Sequence, residues 1–152
     1  MRRWHYTKGV HLASICESGV LRPATAGVIR PERPAVWFST APMWEPTIGS
    51  YKIDSGATSM EETAKVAGGV FRFGVAPESA PHDWDAFCRL SRVNRRIAAS
   101  LVTVARRRGS DPATWFVSFK SVPRSEWLTV EAWYRGKWEG INIDTLDDAI
   151  GF

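Results

Sequence analysis

The sequence predicts an α+β fold with an antiparallel or mixed sheet, and two observations carry that expectation. The apparent elements run strand, helix, strand, loop, strand, long helix and then several strands. Strands and helices therefore do not alternate as a doubly wound parallel sheet requires. The chain also has 152 residues, 44% of them apolar and 24% charged, which suits a single domain over 1–152 with a real core.

Each element has a local cause. Arg3-Trp4-His5-Tyr6-Thr7 is short, aromatic and β-prone. Thr7 is placed to cap a helix in which Leu12, Ile15 and Cys16 recur at helical spacing. Gly19 is a natural stop for that helix, and Pro23 lies beyond it. Pro23, Gly27, Pro31 and Pro34 then form a turn-rich stretch before a continuous apolar strand over 35–40. Residues 41–60, punctuated by Pro42, Pro46, Gly49 and Gly56, read as a mobile loop. A short helical turn over 61–66 and a strand over 70–75 follow.

The longest predicted helix covers 83–108, with Asp83 as N-cap and Gly109 as its stop. Leu90, Val93, Ile97, Leu101 and Val104 form its apolar face, and Arg89, Arg92, Arg95, Arg96, Arg106 and Arg107 lie opposite. Three strands, over 114–122, 127–134 and 138–143, close the chain. The acidic tail Asp144, Asp147 and Asp148 either starts a last helical turn or stays loose.

Composition narrows the function. No apolar run approaches the roughly 18 residues of a membrane span, and no export signal precedes the first strand. A cytoplasmic chain without membrane contact is expected. Cys16 and Cys88 are too few for a disulfide framework or a Cys-rich zinc site, and both fall beside apolar residues as packing groups do. The basic residues divide into 15 Arg and 5 Lys, and there are eight Trp, side chains suited to anions and planar rings. The net charge of +4 conceals +3 over 1–50, +4 over 51–120 and −3 over 121–152. The arginine face either binds nucleic acid through Arg89, Arg92 and Arg96, pairs with the acidic tail, or stays solvated.

Several chemistries fail at once. The sequence has no G-x-G-x-x-G, no phosphate loop, no H-E-x-x-H and no G-x-S-x-G. His5, His11 and His82 are too scattered to outline a metal site, so none is expected. What remains is His5-Tyr6-Thr7 at the exit of the first strand and Ser39-Thr40 at the exit of the second. If the two strands share a sheet, imidazole, hydroxyls and a helix N-terminus converge on one cleft. Read singly, His5 is a satisfied histidine, Thr7 a cap and Ser39 the edge of a turn.

Trp4-His5-Tyr6-Thr7, Leu12, Ile15, Ser18-Gly19-Val20-Leu21, Pro23 and Val36-Trp37-Phe38-Ser39 together resemble the opening of the ADP-ribosyltransferase-like superfamily. That group includes NAD-dependent mono-ADP-ribosyltransferases, DarT-like toxins among them, and the RNA 2′-phosphotransferases. The match covers about forty residues. It implies a split mixed or antiparallel sheet with an N-terminal helix and one long central helix. It also implies NAD as substrate and a protein or nucleic acid as acceptor. On this resemblance His5 and Thr7 would bind an NAD ribose and His5 would assist catalysis. Ser39 would line the nicotinamide pocket, and Tyr6, Trp37 or Trp44 would stack on a ring.

A late-strand glutamate would complete the site by stabilising the oxocarbenium-like state formed as nicotinamide leaves. Glu131 is the candidate because it falls inside a strand pattern, and Glu126 is second. The chain departs from the superfamily in two respects. An E-x-E pair is absent, and the arginine-first opening of some transferases is replaced by His5. RNA 2′-phosphotransfer would use arginines such as Arg33 or Arg72 instead, and a binding module without catalysis would keep the fold alone. The loop Ala41-Pro42-Met43-Trp44-Glu45-Pro46 reads either as a substrate lid or as surface packing.

Overall fold

Residues Arg3–Lys8 form strand β1, and the tryptophan, tyrosine and threonine that favour extended backbone sit inside it. In the computed structural model the described residues are 1–49, 51–52, 56–57 and 59–145. After β1 come helix α1 (Gly9–Ser18), β2 (Val20–Leu21), β3 (Val36–Ser39), β4 (Tyr51–Lys52) and β5 (Gly56–Ala57). Helix α2 (Met60–Ala67) leads into β6 (Val70–Val75), β7 (His82–Asp83) and helix α3 (Trp84–Leu90). Helix α4 (Arg95–Arg107), β8 (Trp115–Ser118), β9 (Val122–Pro123), β10 (Trp127–Tyr134) and β11 (Lys137–Gly140) complete the order.

The main sheet has seven strands in the order β11-β10-β6-β1-β3-β8-β7. Every neighbouring pair in it is antiparallel. The fold is α+β, as the element order predicts. No described helix is long and apolar enough to cross a membrane.

The sheet buries both faces. Leu12 of α1 packs with Leu21, Val36, Phe38, Phe71, Phe73 and Val75 on one side. Phe87 of α3 packs with Ala35 and Val117 on the other, joined by Trp37 and Trp84. Strand β6, an interior strand between β10 and β1, is buried along its whole length. The partly buried Cys16 and Cys88 pack against these two clusters, and burial pushes the Cys88 thiol above its ordinary value.

Three local expectations change. Thr7 is not a cap: it continues β1 opposite Phe71 with its side chain buried, and Lys8 precedes α1 without a side-chain cap bond. Gly19 does end α1 in the left-handed conformation, its amide donating to the Ile15 carbonyl.

The single helix over 83–108 is two helices. Ser91 Oγ accepts the Val93 amide, Arg92 takes a φ of 61°, and Asn94 Oδ1 caps α4 by accepting the Arg96 amide at 2.8 Å. A Ser and an Asn three residues apart offer the backbone partners that end one helix and start the next. As a result Arg89 lies on α3, Arg92 in the connection and Arg96 in the first turn of α4, all exposed. The predicted apolar face is also only part core. Ile97, Leu101 and Val104 remain about two-fifths exposed, and Ala105 is the buried residue of α4. The tail residue Asp144 sits in a 3-10 turn and bonds Arg124, while Asp147 and Asp148 lie outside the described residues.

Candidate functional site

Successive side chains of a strand point to opposite faces of its sheet. In β1 that rule divides the expected site. Arg3, His5 and Thr7 face one way, and Trp4 and Tyr6 face the other.

His5 packs its ring against Phe38 and Phe73, at centroid distances of 5.7 and 6.4 Å. Its Nδ1 lies 2.8 Å from the Trp37 carbonyl oxygen, which can only accept, so Nδ1 carries the proton. Burial depresses the imidazole pKa below its ordinary value, against the raising influence of that hydrogen bond. His5 is thus a neutral histidine that packs on Phe38 and Phe73 and, with Thr7 and His11, lines a cavity of ≈ 550 Å³ on that side of the sheet.

The opposite face holds a denser constellation. Tyr6, Arg72 and Glu131 stand in one row across β1, β6 and β10. Arg72 Nε donates to Glu131 Oε1 at 2.6 Å, and Nη2 forms the ion pair with the same oxygen at 2.6 Å. Arg72 Nη1 donates to the Pro42 carbonyl at 2.6 Å and reaches the Tyr6 hydroxyl at 3.5 Å. Its guanidinium lies 3.7 Å from the Trp4 ring centroid and 4.5 Å from that of Trp138, so a desolvated cation is sandwiched between two indoles. Gly74 makes this possible. A Cβ there would come within 2.7 Å of both Trp4 and Thr129.

The same residues fasten the loop after β3. Tyr6 donates to the Ala41 carbonyl, Arg72 to that of Pro42, and Trp138 Nε1 to that of Met43 at 2.8 Å. Trp44 sets its ring edge-on to Tyr6 at 5.6 Å. Burial pushes the Tyr6 phenol above its ordinary pKa, with Arg72 opposing. The loop over 41–45 is therefore tied to the sheet at three successive carbonyls and is no loose lid.

Ser39 is buried on this face, accepting the Ala41 amide at 3.1 Å and donating to Thr114 Oγ1 at 3.4 Å. Beside it a cavity of ≈ 450 Å³ opens between the sheet and α4, walled by Trp4, Trp37, Trp115, Leu101 and Val104, with Glu45 and Arg108 also in its lining. No protein-family model matches the chain, and neither a curated protein nor a solved structure matches it. The site must therefore be read from its own geometry.

Tyr6, Ser39 and Glu131 share one face of the sheet, with Trp44 packed on Tyr6, but Ser39 on β3 and Glu131 on β10 stand three strands apart. His5 and Thr7 lie on the other face, where with Tyr6, Lys8 and His11 they line the cavity of ≈ 550 Å³, the convergence beside the start of α1 that the sequence predicts. Glu126 is apart again, exposed in a 3-10 turn and accepting from Ser79 Oγ at 2.7 Å. Among the described residues no three His, Cys, Asp or Glu side chains cluster as metal ligands do.

Two residues central to the site were not sequence candidates in this role. Arg72 is signalled only as a charge inside an otherwise apolar strand, a position where an arginine needs a partner. Glu45 reads only as part of a lid or surface-packing loop, yet it is 5% exposed.

Proposed function

We propose that the protein is an NAD-dependent ADP-ribosyltransferase acting on a macromolecule in the cytoplasm, with its site on the Tyr6–Glu131 face. The observation that carries this reading is the fixed carboxylate of Glu131, held by Arg72 on the face that also bears Tyr6, Ser39, Trp44 and the aromatic cavity. The N-terminal resemblance supplies the reaction. In that reaction the ribose C–N bond breaks, nicotinamide leaves with the bonding electrons, and the acceptor attacks the oxocarbenium-like carbon and loses a proton. Glu131 would stabilise that positive charge and bind a ribose hydroxyl. Both Arg72 contacts fall on Oε1, so the hydroxyl would meet Oε2. His5 would act from behind as a positioning residue, through the Trp37 carbonyl.

A second reading, a binding module without turnover, is favoured by the same ion pair. Arg72 offsets the charge that Glu131 would use, and Glu131 does not line the cavity. RNA 2′-phosphotransfer is weaker, because Arg72 is already committed to Glu131 and Pro42. Exposed Arg89, Arg92 and Arg96 would hold the phosphates of a nucleic-acid acceptor.

The test is nicotinamide release from NAD, measured beside thermal unfolding with NAD present. Transfer predicts release by the wild type and its loss in Glu131→Gln, with NAD stabilisation retained in the variant. Saturable stabilisation without release would establish the binding module. Neither effect would sink both readings.

A further inference from the structure

The cavity between α4 and the sheet is an apolar space that the protein leaves half open. Ala105 is the buried residue of α4, whereas Leu101 and Val104, which wall the cavity, are 39% and 42% exposed. A helix ordinarily lays such an apolar stripe fully onto its core. Here the two aliphatic side chains share ≈ 450 Å³ of open space with three indoles, Trp4, Trp37 and Trp115.

We propose that this cavity binds an uncharged, planar, fused-ring aromatic molecule, held by stacking and apolar contact. Its volume lies within the range of small-molecule sites. The indoles favour a flat ligand over a flexible chain. Trp37 and Trp115 stand at 86° with their centroids 6.0 Å apart, so a ring parallel to one is edge-on to the other. Both arrangements are favourable between aromatic rings.

The polar groups of the lining are already engaged. Ser39 Oγ accepts the Ala41 amide and donates to Thr114 Oγ1, and the Tyr6 hydroxyl donates to the Ala41 carbonyl. Trp115 Nε1 and Thr47 Oγ1 both donate to Glu45 Oε1, at 3.1 and 3.0 Å. A ligand therefore gains little by offering polar atoms to them.

Charge decides against an ion. The two charged residues of the lining, Glu45 and Arg108, are opposite in sign. Glu45 Oε1 is taken by its donors, and Oε2 is sealed from solvent. Arg108 Nη1 donates to the Thr47 and Gly49 carbonyls at 3.2 Å. A charged ligand would leave water and meet no net opposite charge. This inference is separate from NAD turnover, since Glu131 does not line the cavity.

The experiment is fluorescence titration with N-phenyl-1-naphthylamine, an uncharged probe that fluoresces strongly only in apolar surroundings. Its partner is 1-anilinonaphthalene-8-sulfonate, which has the same rings and a negative charge. Phenanthrene and 1-dodecanol serve as competitors, one flat and one flexible. The uncharged probe should bind saturably, at least tenfold tighter than the sulfonate, and phenanthrene should displace it where equal dodecanol does not.

Leu101→Trp fills the cavity from a partly exposed helix position and should weaken the probe at least tenfold. Val104→Glu brings a charge into the lining and should do the same, even if Leu101→Trp fails to fold. Ile97 is the control, being 38% exposed on the same stripe but outside the lining, so Ile97→Ser should keep wild-type affinity.

The inference is overturned if the uncharged probe does not bind saturably, if the sulfonate binds as well, or if dodecanol displaces the probe as phenanthrene does. It also falls if Ile97→Ser weakens binding as much as Leu101→Trp, because the probe then sits on the open helix surface. Nicotinamide release is scored separately. Probe binding without release would leave this site standing and remove only the transfer reading.

Discussion

Arg72 and Glu131 face each other across the β6–β10 pair, and both Nε and Nη2 of the arginine meet Glu131 Oε1 at 2.6 Å. Their side chains are 9% and 17% exposed, so the pair is largely out of water. Removing one partner of such a pair strands the other, at a cost of about 3–5 kcal/mol. Glu131→Ala is expected to lose stability on that scale. The double variant Arg72→Met with Glu131→Leu should lose much less, because no charge is then left alone. Urea unfolding of the single and double variants checks this. Equal losses would mean that the pair is held by its surroundings and contributes no coupling of its own.

The Trp4 indole lies over β6 only because residue 74 has no side chain. Gly74→Ala should push Trp4 off Arg72 and cost about 1–3 kcal/mol, as overpacked interiors do. Gly140→Ala is the control, since a Cβ there meets nothing within 4 Å. Thermal unfolding should separate the two variants clearly. Matching midpoints would show that the tryptophan has room to shift.

His5 gives the fold a sensitivity to acid. Its imidazole titrates below its ordinary value of 6.5 in the folded chain, because burial disfavours the charged ring. Between the folded and unfolded pKa values the unfolded chain binds more protons, so stability rises with pH across that interval. The stability tied to neutral His5 is whole above about pH 6.5 and is lost as pH falls towards the folded pKa. His5→Gln retains an N–H for the Trp37 carbonyl and removes the titration. Its unfolding free energy should vary less between pH 7 and pH 5 than that of the wild type. An unchanged slope would assign the acid sensitivity to other groups.

What could be read from the sequence was whatever short-range chemistry decides. Aromatic and β-branched runs marked β1, β3, β6 and β10, and β10 covers Trp127–Tyr134 with the boundaries expected. Gly19 stopped α1 through its own backbone preference. The break between α3 and α4 was obscured because apolar spacing continues through Ser91 to Asn94, although the cap residues were there to be read. The division of the site had a different cause. Alternation along β1 already separates His5 from Tyr6, but only strand order says which of them meets Glu131. The pairing of β1, β6 and β10 joins residues about sixty positions apart, and no local signal reports it.

The Asn94 cap connects helix stability to the cavity. Its Oδ1 accepts the Arg96 amide at 2.8 Å, in a first turn where Arg95 and Arg96 oppose the helix dipole. Asn94→Ala should therefore cost about 0.5–2 kcal/mol and loosen the start of α4. Asn94→Asp keeps the acceptor and adds a favourable charge at the helix start, so it should match or exceed the wild type. Hydrogen exchange of the α4 amides, with thermal unfolding, ranks the three proteins. The helix also carries Leu101, Val104 and Ala105 into the cavity lining, while Asn94 is not part of it. If Asn94→Ala leaves α4 exchange unchanged, the helix start is held by the Ser91 turn and the backbone of Arg92 instead.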